Sequence, residues 1–187
     1  MKHFKQLQTV FPNERPWLVL GKGPTLERIV NVNLNDYYIL GLNHVINYGI
    51  PVDISLFIDL EVCSLEFVEA NTYILAPYHC HFNFKPRTRL FTNIISSKIY
   101  YFDCSTWKGD PVVRPIIRAK YNCAEAAFDI LRHWGVKNIY SLGIDGGITY
   151  ASFIQEKPLT NGQPNFDKQL GQLKIICRQG NMKWTRL

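Results

Sequence analysis

The chain has 187 residues, 47% of them hydrophobic and 19% charged, which suits one well-buried core, not two comfortable domains, and excludes a disordered chain. No apolar run is long enough to span a bilayer, and Met1-Lys2-His3-Phe4-Lys5 lacks the apolar core of a signal peptide. A net charge of +6 favours anionic partners. The basic residues are spread out, with modest groups at Lys85-Arg87-Arg89, Arg114-Arg118-Lys120 and Lys183-Arg186, which argues against a nucleic-acid interface.

In chain order, the pattern alternates strands and helices, as in an α/β fold with a mainly parallel sheet. Trp17–Leu20 reads as the first strand. Pro24–Val30 begins a short helix, with Pro24 in the first turn, where its missing N–H costs little. Strands follow at Tyr37–Leu42, Asp53–Ile58, Thr72–Ala76 and Ile99–Phe102, with a helix at Glu61–Ala70. Residues 77–98 are irregular and suit a flap over a site. Asn122–Trp134 is the clearest helix: Ala124, Ala127, Phe128, Leu131 and Trp134 form one apolar stripe. Asn122 is placed to cap it, Glu125 to complete a capping box, and Gly135 to stop it. Asn138–Ile144 returns as a strand, Phe166–Arg178 as a last helix, and Met182–Leu187 as a closing strand. The expectation is one Rossmann-like three-layer α/β domain over residues 1–187. The cysteines (Cys63, Cys80, Cys104, Cys123 and Cys177) are odd in number, scattered and in apolar contexts. They read as reduced core residues of a cytoplasmic protein.

Four strands end in a polar or glycine-bearing residue: Gly21, Asn43, Asp59 and Asp145. In an open α/β sheet, ligands bind beyond the carboxyl ends of the strands. The run Gly21-Lys22-Gly23-Pro24-Thr25 aims a helix N-terminus at whatever lies above the first strand. Its two glycines permit close backbone approach, and Lys22 and Thr25 add a cation and a hydroxyl, a combination suited to a phosphate. A tight strand-to-helix connection without a ligand would look the same. Asp145-Gly146-Gly147 offers a carboxylate that fits a ribose contact, a metal, a general base or a simple turn. His44, beside Asn43, is the best-placed functional histidine, whereas His133 reads as a helix C-terminal cation. His79-Cys80-His81 has poor zinc spacing, because on a strand Cys80 points away from the two histidines.

The glycine loop, Asn43 and the spacing Gly135, Ile139, Gly143, Ile144, Asp145 together give the chain a family likeness over residues 15–150. It resembles the nucleotide-dependent α/β transferases that include bacterial family-42 sialyltransferases, flagellin-glycosylation motility accessory factors and archaeal 6-hydroxymethylpterin diphosphokinase. The resemblance implies that Gly21, Gly23, Pro24 and Thr25 line a nucleotide phosphate pocket. It also implies that Asn43 contacts the donor and that Asn122 and Asp145 border the same cleft; position and chemistry, and not the resemblance, add Lys22, Asp59 and Gly146 to the expected nucleotide-binding residues. The sialyltransferases carry Asn where Lys22 stands, and a histidine base after the last motif strand, whereas this chain has no histidine beyond His133. Asp145 or His44 would then be the base, unless the acceptor needs no strong base. The expected activity is glycosyl transfer from a nucleotide-sugar donor to a glycan or other acceptor. The alternatives are a Mg²⁺-dependent diphosphokinase, with Asp59 and Asp145 as metal ligands, and a non-catalytic nucleotide-binding module. No resident cofactor is required by the first reading, and self-association into a homo-oligomer is left open.

Overall fold

The computed structural model describes residues 2–58, 72–78, 98–105, 110–120, 122–158 and 164–187. Among them, seven strands form a single parallel sheet: β1 Trp17–Leu20, β2 Tyr38–Leu42, β3 Ile54–Leu56, β4 Tyr73–Pro77, β5 Ile99–Phe102, β6 Asn138–Leu142 and β7 Lys183–Arg186. Three α-helices accompany them: α1 Phe4–Leu7, α2 Cys123–His133 and α3 Asp167–Gly180. The spatial order is β5-β4-β3-β2-β1-β6-β7. The chain therefore starts at β1 and moves outward to β5. It then returns to the other side of β1, which pairs in parallel with both β2 and β6. This is a Rossmann-like α/β fold whose strand order reverses between β1 and β6, where such sheets open their ligand crevice.

Side-chain alternation divides the core in two. Trp17 and Val19 of β1 face one layer with Phe4, Phe128, Leu131, Leu173 and Ile176 from the α-helices. Leu18 and Leu20 face the other, with Leu26, Val45, Ala151 and Ile154. Both faces are covered, so β1 and β2 are apolar throughout and buried at every position.

Several expectations change in detail. The helix after β1 is a 3-10 helix, Pro24–Asn31, in which Leu26 is buried. Leu26 and Ile29, three residues apart, both pack on the second core layer, as a three-residue turn requires. Two more 3-10 helices flank β2: Leu34–Asp36 before it, and after it Asn43–Tyr48, which ends at Gly49, whose φ of 71° is left-handed. Neither Asn43–Tyr48 nor α1 was legible in the sequence. Along α2, burial extends from Cys123 to Leu131 without a break, well beyond one apolar stripe. Its two carboxylates, four residues apart on one face, accept backbone amides of the incoming chain: Arg118 N donates to Asp129 Oδ2 at 2.9 Å and Lys120 N to Glu125 Oε2 at 2.6 Å. Glu125 is thus engaged elsewhere, and Asn122 makes no side-chain cap, so the expected capping box does not form. Gly135, at φ 72°, ends the helix as expected. Among the described residues no helix is long and apolar enough to cross a membrane. The expected helix at 61–70, most of the flap at 77–98, Asp59, Cys63, His79, Cys80, His81 and the Lys85-Arg87-Arg89 group lie outside the described residues.

Candidate functional site

The first turn after β1 is locked to the turn after β6. Gly21 N donates to Leu142 O at 2.9 Å and Gly23 N to Gly143 O at 2.8 Å. Asp145 closes the arrangement: its Oδ2 accepts the Thr25 amide at 2.8 Å and its Oδ1 accepts the Thr25 hydroxyl at 2.6 Å. Thr25 Oγ1 in turn accepts the Gly143 amide at 2.8 Å. The start of the 3-10 helix does hold a negative charge, as its dipole favours, but the charge is the Asp145 carboxylate. The amides of Gly23 and Thr25 that suited a phosphate are engaged within the protein. Pro24 is exposed at the head of the helix and has no amide to offer.

The glycines of this loop serve chain-to-chain approach. A Cβ at Gly21 would overlap the Gly143 carbonyl oxygen, and one at Gly23 would lie 2.6 Å from Asp145 Oδ2 and 2.9 Å from Gly143 O. Gly146 is also buried, beneath the first turn of α3, where a Cβ would collide with Asp167 and sit 2.9 Å from Leu170 Cδ1. Asp167 Oδ1 accepts the Gly147 amide at 3.0 Å, and Phe166 N donates to Gly147 O at 2.8 Å. Asp145 and Gly146 are therefore built into the frame of the strand reversal, because their polar groups and free space are already filled by Thr25 and Asp167.

Beside this frame, Asn43 bends the chain off β2 at φ 53°, a left-handed conformation that only a few non-glycine residues adopt. Its Oδ1 accepts from Cys123 Sγ at 3.0 Å, which joins the end of β2 to the first turn of α2. Asn122 stands at the same helix start, its buried Oδ1 without a partner among the described residues. The edge thus brings Asn43, Asn122 and Cys123 together at a helix N-terminus that no side chain caps.

On the other face of the sheet, Lys22 extends away from the clasp into a second cluster. Its Nζ donates to Glu156 Oε2 at 2.5 Å and lies 4.6 Å from the centre of the Tyr150 ring. Tyr48 Oη donates to Glu156 Oε1 at 2.6 Å, and His44 Nδ1 lies 3.5 Å from the same oxygen. Burial raises the Tyr48 hydroxyl well above the usual tyrosine value, and the neighbouring Glu156 charge adds to it. Burial alone would raise Glu156 too. The hydrogen bonds from Lys22 and Tyr48, with the charges of Lys22 and His44, outweigh it and hold the carboxyl below its usual value.

Glu156, Tyr48 and Tyr150 are absent from the sequence-predicted site. No sequence signal marked Tyr48, because the 3-10 helix that brings it beside His44 was not legible. Glu156 sits in what reads as a polar loop, and only the fold carries it back over β1: Ala151 N donates to Lys22 O at 2.8 Å, and Ala151 and Ile154 are buried beneath it. Arg118 donates to Gln179, and both Arg114 and Arg118 are exposed, so neither joins the cluster. Burial, then the charge of Arg132, lowers the basicity of His133 while Asp129 acts the other way, so the site disfavours the cation expected at that helix end. Among the described residues no three His, Cys, Asp or Glu side chains are grouped to hold a metal ion. No protein-family model matches this chain, and no curated protein matches its sequence.

Proposed function

We propose that the chain is a glycosyltransferase-like enzyme that binds a nucleotide-sugar donor at the carboxyl edge of the sheet and passes the sugar to a glycan or other acceptor. The observation that carries this reading is the juxtaposition of Asn43 and the uncapped start of α2 next to the strand reversal. Amides at a helix start favour a phosphate, and the amide side chains of Asn43 and Asn122 supply both donors and acceptors for a base or sugar. The clasp between Thr25 and Asp145 supports the reading differently from the sequence expectation, as a rigid wall for the crevice. Of the two candidate bases, His44 is favoured over Asp145, whose oxygens are both occupied by Thr25. In the proposed step the acceptor hydroxyl oxygen attacks the anomeric carbon. The bond from that carbon to the donor phosphate breaks, and the nucleotide leaves with the electron pair. His44 takes the acceptor proton, and Lys22 offsets charge on the departing phosphate.

Thermal-shift titrations with CMP, UDP, GDP and ATP, each with and without Mg²⁺, test this. Stabilisation by a nucleoside mono- or diphosphate without metal, reduced by Asn43→Ala and Asn122→Ala in folded protein, is the expected result. A strict requirement for triphosphate and Mg²⁺ would replace it with the diphosphokinase reading. Binding without sugar release from any donor would leave a nucleotide-binding module, and no response to any nucleotide would overturn the reading altogether.

A further inference from the structure

We propose that Lys22 Nζ, Tyr48 Oη and His44 Nδ1 form a binding site for a phosphoryl group, whose place the carboxylate of Glu156 takes in this structure. The three groups come from the turns after β1 and β2 and converge on one carboxylate, at 2.5, 2.6 and 3.5 Å. Their holders are well anchored. The Lys22 side chain is 11% exposed, with its carbonyl bonded to Ala151 N, and the 3-10 helix bearing His44 and Tyr48 buries Val45 and Ile46. The acid is the least anchored partner. Its side chain is 39% exposed and stands two residues beyond Ile154, the last buried residue of the described stretch 122–158. Rigid donors around an exposed acid describe a preformed oxyanion site with a displaceable occupant.

The fit favours a phosphoryl group over another carboxylate. Glu156 has two oxygens for three donors, so Tyr48 and His44 share Oε1, and His44 is left at 3.5 Å, beyond good hydrogen-bond length. A terminal phosphoryl group, such as the one a leaving nucleotide carries, has three oxygens, one for each donor, and a charge that matches the lysine. This deepens the nucleotide reading and rests on it for the source of the phosphoryl group. A ligand here must displace Glu156, so the apparent affinity is the intrinsic one multiplied by the fraction of time the acid is away.

Titration of inorganic phosphate against chloride at constant ionic strength, read by NMR at the His44 and Tyr48 rings, tests the site. Wild-type protein is expected to bind phosphate saturably. Glu156→Gln, which keeps the shape and removes the competing charge, tightens it about 10- to 100-fold, and Lys22→Met loses it in either background. If Glu156→Gln does not fold, the wild-type titration decides: saturable shifts at both rings support the site, and their absence overturns it. Affinity unchanged or weakened by Glu156→Gln would make the cluster a structural ion pair and overturn the proposal. Acetate binding as tightly as phosphate would overturn the phosphoryl assignment. CMP and UDP separate this proposal from the parent reading. Phosphate binding without any gain from the nucleoside leaves the site standing while the nucleotide reading falls. Nucleotide binding that ignores Glu156→Gln leaves the nucleotide reading standing while this site falls.

Discussion

Thr25→Val tests the clasp at the strand reversal with least disturbance, because valine keeps the β-branched shape and removes only Oγ1. That oxygen donates to Asp145 Oδ1 and accepts from the Gly143 amide. Gly143 is buried, so its amide loses its acceptor with no water to replace it, at a cost of about 1–3 kcal/mol. The bond to Asp145 is charge-assisted, but the carboxylate is only partly buried and keeps the Thr25 amide, which limits this share to about 1 kcal/mol. The total is about 2–4 kcal/mol, or about 5–15 °C in Tm for a chain of this size. Urea and thermal unfolding of wild type, Thr25→Val, Asp145→Asn and the double variant measure it. The urea slope stays unchanged, and the two losses fail to add, because both remove parts of one network. A loss from Thr25→Val below about 0.5 kcal/mol, the level of an ordinary surface change, would refute the clasp.

Two glycine variants probe the same frame. Gly21→Ala drives a methyl into the Gly143 carbonyl, a backbone group that cannot swing aside, and to 3.2 Å from Ile144 Cγ1, and costs about 3 kcal/mol or more. Gly147→Ala has open space around the new methyl and suffers only from its φ of 65°, about 1–2 kcal/mol, so the reverse order in urea unfolding would refute the close-approach account. Burial and the charge of Arg132, with Lys5 and Arg118 behind it and Asp129 opposing, hold His133 below the ordinary value of 6.5. The unfolded chain then binds the proton more readily than the folded one, so stability is full above pH 6.5 and falls as pH drops from there towards the lowered folded value. His133→Gln removes that part of the pH dependence; an unaltered stability profile between neutral and mildly acidic pH would count against it.

The sheet was legible in the sequence because its central strands are buried on both faces. The run Trp17-Leu18-Val19-Leu20 has no polar position to confuse a strand with a loop, and β1 and β5 have the expected bounds. Less was legible where tertiary contacts override local pattern. Asn122 and Glu125 carry a capping box on paper, yet Glu125 is drawn to the Lys120 amide because a buried carboxylate takes the nearest backbone donor. Pro24–Asn31 has the composition of an α-helix start and winds more tightly, with Thr25 held by Asp145 and with Leu26 and Ile29 aligned on the core.

The site shows why a glycine-rich turn after a strand is ambiguous when read alone. A ligand phosphate and a neighbouring backbone carbonyl make the same demands: no Cβ, amides turned outward and a helix start behind them. What decides between them lies 120 residues away, at Asp145, whose carboxylate meets Thr25 only because β6 inserts directly beside β1. The same insertion carries the chain on through Ala151 and Ile154 and sets Glu156 over Lys22. Both carboxylates meet groups of the β1 turn, but their surroundings anchor them differently. Asp145 stands between the buried Ile144 and Gly146, with both oxygens bonded to one residue, whereas Glu156 is exposed beyond its last anchor and bonded to groups from two turns. A ligand that competes with a carboxylate for the turn after β1 therefore meets the smaller resistance at Glu156, which puts Lys22, and not the Gly23 and Thr25 amides, first among the groups of that turn to hold an anion.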